Sequence, residues 1–289
     1  MAKAQRHPKG IIWLASYPRS GNTWTRNFLY NLLSIVDGRN RGGHDINRLA
    51  DTSVWDIAGV RFERALGKPL TAATRDEIAG ARPAVQKAIA DGAKGPILVK
   101  THNALVLDRG TATINMGVTA GAVYIVRNPL DVVISYAHHF DTSIDDSIRQ
   151  MALAGAETGH GKDAAYEVYG SWSENVMSWT RKPHRAILVL RYEDMLARPA
   201  ETFRKLADHL LIVADDMQIA KAIEQSDFKI AQAQEKAKGY RERPQQSKAF
   251  FREGRAEQWR DVLSPEQIAK LIADHRVQME RFGFVPSGH

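Results

Sequence analysis

The sequence predicts an α/β fold in which a parallel β-sheet is flanked by helices. Short and almost wholly apolar runs alternate with segments whose apolar residues follow a helical spacing. Strands that are buried on both faces of a parallel sheet have this continuous apolar character. The chain has 289 residues, of which 44% are hydrophobic and 25% charged. This is enough for a sizeable core, and we expect a single domain over residues 1–289.

Four strands are predicted, and most of them lead into a helix. The apolar runs lie at 11–15, 96–100, 122–126 and 186–190. Apolar residues at helical spacing follow the first, third and fourth runs, which is typical of strands joined by crossover helices. The carboxyl ends of such parallel strands lie at one edge of the sheet, where ligands bind.

Three stretches have no clear periodicity, namely 38–95, 141–165 and 231–260. We expect them to be insertions or mobile segments attached to one core, and the third is rich in Lys, Arg, Gln and Glu. After them, Ser264 and Pro265 have the chemistry of a helix start, with a glutamine three residues after the serine. A C-terminal helix is therefore predicted.

The composition excludes several kinds of site. The chain has no cysteine, so disulfides, zinc–thiolate sites and cysteine nucleophiles are ruled out, and no metal is expected. No run of 18 apolar residues and no secretory leader pattern is found, which predicts a cytoplasmic protein without a membrane span. The net charge of +7 fits an anionic ligand, a nucleic acid or simple solubility equally.

The stretch after the first strand resembles a phosphate-binding loop with one important difference. In the pattern G-x-x-x-x-G-K-[ST], Gly21 and Thr23 match, Ser16 replaces the first glycine and Asn22 replaces the lysine. Arg19 supplies a cation two residues before Gly21. ATP or GTP hydrolysis is therefore disfavoured, and the loop alone fits an anion site or a plain strand-to-helix connection.

Two further strand ends have residues suited to anion binding or proton transfer. Arg127 follows the third strand, and Ser135 lies about two turns into the next helix, so both could contact a phosphate. His102 closes the second strand, where a general base would be useful. Taken singly, each residue also fits an ordinary structural role.

Five segments in order resemble the motifs of sulfotransferases that use 3′-phosphoadenosine 5′-phosphosulfate (PAPS), in a bacterial-like variant of the cytosolic type. Residues 17–24 (YPRSGNTW) are similar to the 5′-phosphosulfate loop, and 127–136 (RNPLDVVISY) to the 3′-phosphate segment. Residues 100–102 (KTH) resemble the strand end with the catalytic histidine, 192–195 (YEDM) the adenosine-binding stretch, and 250–254 (FFREG) with Trp259 the segment that covers the cofactor. The resemblance implies a P-loop-NTPase-like sulfotransferase architecture.

The resemblance also implies roles for individual residues. The residues that would bind the 5′-phosphosulfate are Arg19, Ser20, Gly21, Asn22 and Thr23. Those that would hold the 3′-phosphate are Arg127, Ser135, Arg252 and Gly254, next to Phe251. Those that would line the adenosine are Trp24, Tyr192, Ser226 and Phe228. The implied catalytic residues are His102 as general base, Arg19 as stabiliser of the leaving phosphate, and Lys100.

The sequence departs from the family pattern at several positions. The family usually has lysine where this chain has Arg19, a basic residue where it has Glu253, and a second glycine where it has Glu257. Arginine still supplies a fixed cation, and Arg255 is a candidate to replace the missing basic residue. An oligomer is compatible with the sequence, but the dimer segment of vertebrate members is interrupted at 264–269, so that dimer is not expected.

The acceptor cannot be identified from the sequence. We expect its pocket in 38–75 and 137–170, and the aromatic candidates are His44, Trp55, Phe62, His139, Phe140, Tyr166 and Tyr169. A small molecule or the hydroxyl of a glycan or peptide would fit, as would an amine. The alternatives are a P-loop small-molecule kinase and a non-enzymatic binder of nucleotides or nucleic acid, although no nucleic-acid module is apparent.

Overall fold

The computed structural model describes residues 10–40, 42–244 and 246–288. The strands are β1 (Ile11–Ser16), β2 (Ser53–Trp55), β3 (Ile97–Thr101), β4 (Leu107–Asp108), β5 (Thr111–Ala112), β6 (Thr119–Val126) and β7 (Ile187–Arg191). The helices are α1 (Asn22–Val36), α2 (Gly59–Leu66), α3 (Arg75–Asp91), α4 (Pro129–Phe140), α5 (Ile144–Ala152), α6 (Trp172–Thr180), α7 (Tyr192–Ala197), α8 (Pro199–His209), α9 (Asp216–Gln225), α10 (Phe228–Lys238), α11 (Trp259–Val262) and α12 (Pro265–Arg281).

Five strands form one parallel sheet in the order β2-β3-β1-β6-β7, and β4 and β5 form a separate antiparallel pair. In register, Ala15 of β1 lies beside Thr101 of β3, and Ser16 lies beside Ile125 of β6. Parallel pairing brings the carboxyl ends of all five strands to the same edge. The predicted fold class, a parallel sheet flanked by helices, is confirmed.

Successive residues of β1 enter opposite layers of the core. Trp13 packs with the side covered by α3, α4, α6 and α12, whereas Leu14 packs with the side covered by α1, α8 and α9. Both side chains are fully buried. Each apolar side chain removed from water contributes about 1.5–3 kcal/mol before entropy is counted, so a strand with two buried faces is stable only as an apolar run.

The expectation that the weakly patterned stretches are mere attachments was wrong for the first two. Within 38–95, β2 pairs in parallel with β3 in the central sheet, and α3 contributes Ile78 and Val85 to the core. Within 141–165, α5 buries Ile148 and Met151. Strand β2 has only three residues, too few for a periodic pattern. Helix α3 contains Pro83, and a proline inside a segment normally argues against a helix.

Helices α4 and α12 begin at the predicted residues. Asn128 caps α4 by accepting a hydrogen bond from the Leu130 N–H, and Pro129 takes the first helical position. Ser264 and Gln267 form the predicted capping box of α12. Among the described residues, no helix combines the length and the apolar character that a bilayer crossing requires.

Candidate active site

A cavity of about 310 Å³ opens at the carboxyl edge of the sheet. Each of the five parallel strands supplies a lining residue from the segment that follows it. These residues are Arg19 after β1, Asp56 after β2, His102 after β3, Arg127 after β6 and Tyr192 after β7. The sheet topology therefore gathers motifs that are far apart in the sequence, as the ligand rule for parallel sheets requires.

The loop between β1 and α1 presents a helix N-terminus to the cavity. Gly21, the N-cap residue of α1, has a φ of 108°, and no side chain caps the helix. A Cβ at Gly21 would lie 2.7 Å from Cδ2 of Tyr192, so glycine is required by both backbone and space. No acidic residue occupies the first turn of α1, and the positive end of the helix dipole is left to attract an anion.

The side chain of Asn22 is buried and forms a hydrogen bond with the backbone of β1. Its amide donates a 2.8 Å hydrogen bond to the Leu14 carbonyl, and the residue is only 5% exposed. The side chain therefore ties the loop to β1 and cannot act as the phosphate-reaching cation of a nucleotide-hydrolysing P-loop.

Arg19 has left-handed backbone, with a φ of 67°. Its guanidinium donates to Ser135 Oγ at 3.0 Å, to His139 Nδ1 at 3.1 Å and to the Phe250 carbonyl at 3.1 Å. Because arginine only donates, the Nδ1 of His139 must be the acceptor, and burial with the nearby Arg19 lowers the pKa of His139 to about 3. These contacts fix the guanidinium beside the loop.

A second guanidinium lies close to the first. Arg127 donates to the carbonyl of Arg19 at 3.1 Å and to that of Arg255 at 3.3 Å, and it lies 4.3 Å above the Tyr192 ring. Burial, followed by the charge of Arg127, lowers the pKa of Arg19 to about 10, so Arg19 stays protonated at neutral pH. Two adjacent cations with few carboxylates beside them favour a multiply charged anion.

His102 is oriented by the end of β1. Its Nδ1 lies 2.8 Å from the Ser16 carbonyl, which can only accept, so this nitrogen carries the proton and Nε2 is left as the acceptor. Burial, and after it the charge of Lys100, holds the pKa of His102 well below its usual 6.5. The ring is therefore neutral at physiological pH, as a general base must be.

Lys100 lies between an aromatic ring and a carboxylate. Its Nζ is 4.6 Å from the centre of the Trp55 ring and 3.9 Å from Oε2 of Glu242. Glu242 is also bound by Arg26 through two 2.8 Å hydrogen bonds. Burial alone would raise the pKa of Glu242, but Lys100 and Arg26 lower it to about 2.

Two buried carboxyl groups beside His102 were not predicted. Glu167 accepts from the His102 backbone N–H at 2.9 Å and from the Tyr169 hydroxyl at 3.2 Å. Asp56 accepts from Thr101 Oγ1 at 2.9 Å, and burial, with the charge of Glu167, raises its pKa. A lone glutamate inside the apolar run 164–169 was the available signal, since an unpaired charge is rarely placed there without a function.

Two aromatic pairs line part of the cavity wall. Trp24 packs edge-on against Tyr192 with ring centres 5.8 Å apart, and Phe228 packs edge-on against Phe251 at 5.9 Å. Gly254 has a φ of 64°, and a Cβ there would meet Cγ of Phe228 at 2.3 Å. The covering segment thus approaches Phe228 as closely as a glycine allows.

Helix α10 holds the covering segment in place. The carboxylate of Glu235, only 6% exposed, accepts the backbone N–H groups of Phe250 at 2.9 Å and Phe251 at 2.8 Å. The Gln232 amide donates to the carbonyls of Phe251 and Arg252, both at 2.9 Å. Residues 250–252 are therefore positioned by side chains of one helix.

Most of the predicted site residues line this one cavity. The predicted residues found in its wall are Arg19, Gly21, Asn22, Thr23, Trp24, Lys100, His102, Arg127, Ser135, Tyr192, Phe228, Phe251, Arg252 and Gly254. Ser20 and Ser226 are buried outside it, and the Ser226 hydroxyl donates to the Ile223 carbonyl of its own helix. Ser135 contacts Arg19 directly, at a distance that the sequence spacing could not give.

The aromatic candidates for the acceptor pocket divide into two groups. Those in the cavity wall are Trp55, His139, Phe140 and Tyr169. Those outside it are His44, which stacks on Tyr30, Phe62, which lies in the core, and Tyr166, whose hydroxyl is bound to Asp108. No cluster of three or more metal-ligating side chains occurs in the residues that the structure describes.

The departures from the family pattern have local structural consequences. Glu253 pairs with Arg252 at 3.2 Å and with Arg255 at 2.9 Å, and the Arg255 side chain is half exposed. Glu257 has a φ of 61°, the left-handed backbone that a glycine would adopt freely. Its N–H donates to Asp131 Oδ2 at 2.7 Å, a contact that helps hold the strained residue.

Comparison with known proteins assigns the chain to a family. The model of the sulfotransferase domain matches residues 9–283. Sulfotransferase 1A1 of Canis lupus familiaris is 25% identical over 96% of this chain and 86% of its own length. Flavonol 3-sulfotransferase of Flaveria bidentis is 24% identical, with 92% and 80% covered.

Solved structures share the fold. Retinol dehydratase, in a complex with retinol and PAP, has a TM-score of 0.65 and 20% identity, covering 96% of this chain and 82% of its own. Mouse sulfotransferase SULT7A1, complexed with PAP, has a TM-score of 0.61 and 17% identity, covering 98% and 90%. The family prediction is confirmed: the chain belongs to the sulfotransferase domain family and is a PAPS-dependent sulfotransferase.

Proposed function

We propose that the cavity binds PAPS and that His102 deprotonates an acceptor hydroxyl or amine while the sulfuryl group moves to it. The observation that carries the proposal is the juxtaposition in one cavity of a helix N-terminus, two guanidinium groups and a neutral imidazole. PAPS supplies an activated sulfuryl group on a phosphate that leaves as part of PAP. Residues of this chain would bind the nucleotide, stabilise the leaving oxygen and remove the acceptor proton.

The lining residues fit a nucleotide with two separate anionic groups. Arg19 and the first-turn N–H groups of α1 would hold the 5′-phosphosulfate and stabilise the charge that develops on the leaving oxygen. Arg127, with Arg252, would hold the 3′-phosphate. Trp24 and Phe228 offer aromatic surfaces for the adenine. Arg19 acts through its charge alone, because a guanidinium does not release a proton at neutral pH.

His102 is suited to take the proton of the acceptor. The bond from Nδ1 to the Ser16 carbonyl fixes the tautomer, so Nε2 has a free lone pair. As the acceptor oxygen attacks sulfur and the bond from sulfur to the phosphate oxygen breaks, Nε2 would receive the hydroxyl proton. Glu167, which accepts the His102 backbone N–H, holds this end of β3 in position.

The acceptor would lie on the aromatic side of His102. Trp55, Phe140 and Tyr169 line this part of the cavity and suit an apolar or aromatic body that bears the reacting hydroxyl. Two related structures contain small molecules of this kind, androsterone in one and retinol in the other. A small-molecule alcohol or phenol is thus our first choice, ahead of a glycan or peptide hydroxyl.

The kinase alternative has little support. It needs a cation directly after Gly21, and Asn22 at that position is bound to the Leu14 carbonyl.

We also propose that residues 1–289 are one domain and that 231–260 covers the cofactor. The contacts from Glu235 and Gln232 to residues 250–252 support the covering role, whereas the mobility of the segment stays a prediction.

His102→Ala tests the proposal. The expected result is a loss of about 10²–10⁴-fold in kcat, since one positioned base is removed, with the affinity for PAP within about threefold of wild type. PAP formation from PAPS with a panel of phenols and alcohols measures kcat, and isothermal calorimetry measures PAP binding. The control is His138→Ala, which removes an exposed histidine outside the cavity wall.

The same calorimetry separates the alternative functions. PAP should bind with one site per chain and more tightly than ATP, which has no 3′-phosphate, while a DNA oligomer should not bind at equal salt. Near-wild-type turnover in His102→Ala would remove that residue from the base role. Phosphoryl transfer from ATP without PAPS would overturn the proposed reaction.

A further inference from the structure

A second cavity of about 580 Å³ adjoins the first. The two cavities share Trp55 and Glu242 in their walls. Lys100, on the His102 side, spans these two residues, with its Nζ 4.6 Å from the Trp55 ring and 3.9 Å from Glu242 Oε2. The reacting end of the first cavity and the second cavity therefore share two wall residues, and Lys100 lies beside both of them.

The second cavity has an apolar floor and a cationic rim. Val54 and Val60 belong to the apolar part, and Val60 is 64% exposed. Arg61 and Arg64 of α2, together with Arg241 in the loop after α10, form the rim. Among the described residues, none of these three guanidinium groups forms a salt bridge.

Among the described residues, Glu242 is the one carboxylate in this wall, and two cations balance its charge. Glu242 accepts two 2.8 Å hydrogen bonds from Arg26, whose side chain has no exposure, and Lys100 is its second cation. Its pKa is lowered to about 2 by these partners against the opposing effect of burial, so it is ionised but paired. The three rim arginines therefore leave the second cavity with a net positive charge.

We propose that this cavity is an acceptor subsite that selects acceptors with an anionic group at the end of an apolar body. The reacting hydroxyl would meet His102, the apolar body would pass Trp55, and the carboxylate or phosphate would meet Arg61, Arg64 and Arg241. Guanidinium forks suit both anions, which are bound through the same paired oxygens. The inference rests on the proposed sulfuryl transfer, because that reaction defines the hydroxyl end.

A series of matched acceptors tests the subsite. The probes are 4-hydroxyphenyl alkanoic acids of increasing chain length, each with its methyl ester and the corresponding ω-phosphate. At the length that spans both cavities, kcat/KM for the anion should exceed that for the ester at least tenfold. The carboxylate and phosphate arms then show which anion is preferred, and shorter acids should show no preference.

The variant Arg61→Ala/Arg64→Ala/Arg241→Ala should reduce kcat/KM for the anion to that for the ester. It should leave PAP affinity unchanged, because the three arginines are not among the residues that line the first cavity. Arg64→Ala/Arg241→Ala, which changes only exposed side chains, repeats the test if the triple variant does not fold. The control is Arg39→Ala/Arg276→Ala, which removes two exposed arginines outside both cavity walls.

Equilibrium binding gives a readout that does not depend on turnover. Calorimetric titration of the preferred-length acid and of its ester should show tighter binding of the acid, lost in the arginine variants. Equal turnover or equal binding of acid and ester would overturn the subsite and leave the proposed function standing. If no phenol is sulfated, the proposed function fails at its acceptor, and the titration alone decides whether the cavity selects anions.

Discussion

At the scale of single residues, the imidazole of His102 shows how backbone geometry determines chemistry. A carbonyl at the end of β1 selects the proton-bearing nitrogen, and burial keeps the ring neutral. Neither property could be predicted from the sequence, which gives only the position of His102 at a strand end. The same holds for Arg19, whose partners Ser135, His139 and Phe250 are 116, 120 and 231 residues away.

The tautomer and the protonation state of His102 can be measured directly. In ¹⁵N-labelled ligand-free protein, we expect the His102 ring to be protonated at Nδ1 and unprotonated at Nε2, because Nδ1 lies 2.8 Å from a carbonyl. Its shifts should stay constant from pH 8 down to below 6.5, since burial and then Lys100 lower its pKa. A histidine in an unstructured peptide, titrating near pH 6.5, is the reference.

A neutral ring with the proton at Nε2 would contradict the assignment, because the lone pair would then face Ser16. Titration of His102 near pH 6.5 would contradict the inferred effect of burial and of Lys100.

At the scale of elements, strand ends and helix starts were predictable where one chemical signal is strong. The runs that became β1, β3, β6 and β7 are apolar on both faces, so their ends were predicted within one residue, except that β6 begins three residues before its predicted start. Edge strand β2 was missed, because three residues carry no period. The fourteen cavity residues that the resemblance named lie together because the strands are parallel, whereas Asp56 and Glu167 gave almost no signal.

The contact between the covering segment and α10 is tested by Gly254→Ala. At a φ of 64°, alanine is strained by about 1 kcal/mol, and its Cβ would also meet the Phe228 ring at 2.3 Å. Phe228 must then move, and we expect PAP affinity to fall about tenfold or more. Calorimetric titration with PAP, alongside a urea unfolding curve, measures both effects.

Gly155→Ala is the matched control for this variant. Gly155 has a φ of 62°, but no atom of the described residues around it lies within 4 Å of its Cβ position, so alanine there has the backbone strain without the clash. Equal PAP affinity in Gly254→Ala and Gly155→Ala would show that Phe228 does not contribute to the cofactor site.

At the scale of the whole molecule, buried histidines connect stability to pH. His275 of α12 is 2% exposed, its Nδ1 lies 2.9 Å from Ser173 Oγ, and burial lowers its pKa to about 4. A pKa below the unfolded value near 6.5 means that its contribution is complete above pH 6.5 and is lost as the pH falls towards 4. At pH 5 the loss is about 2 kcal/mol for this one group.

His275→Gln should remove this dependence. The free energy of unfolding of the variant, from urea curves, should fall by about 2 kcal/mol less than that of wild type between pH 7 and pH 5. Met279→Leu changes a buried, non-titrating residue of the same helix. Its free energy of unfolding should change with pH as that of wild type does. A parallel curve for His275→Gln would show that the imidazole is not buried in its neutral form.

The grip of Glu235 on the amides of Phe250 and Phe251 has a consequence for protein engineering. Suppose that residues 250–254 of this chain alone are transferred to a relative. If the relative has another residue at the position of Glu235, the two backbone N–H groups lose their hydrogen-bond acceptor. The smallest transferable module therefore begins at Phe228, where α10 starts, and includes both the aromatic wall and its anchor.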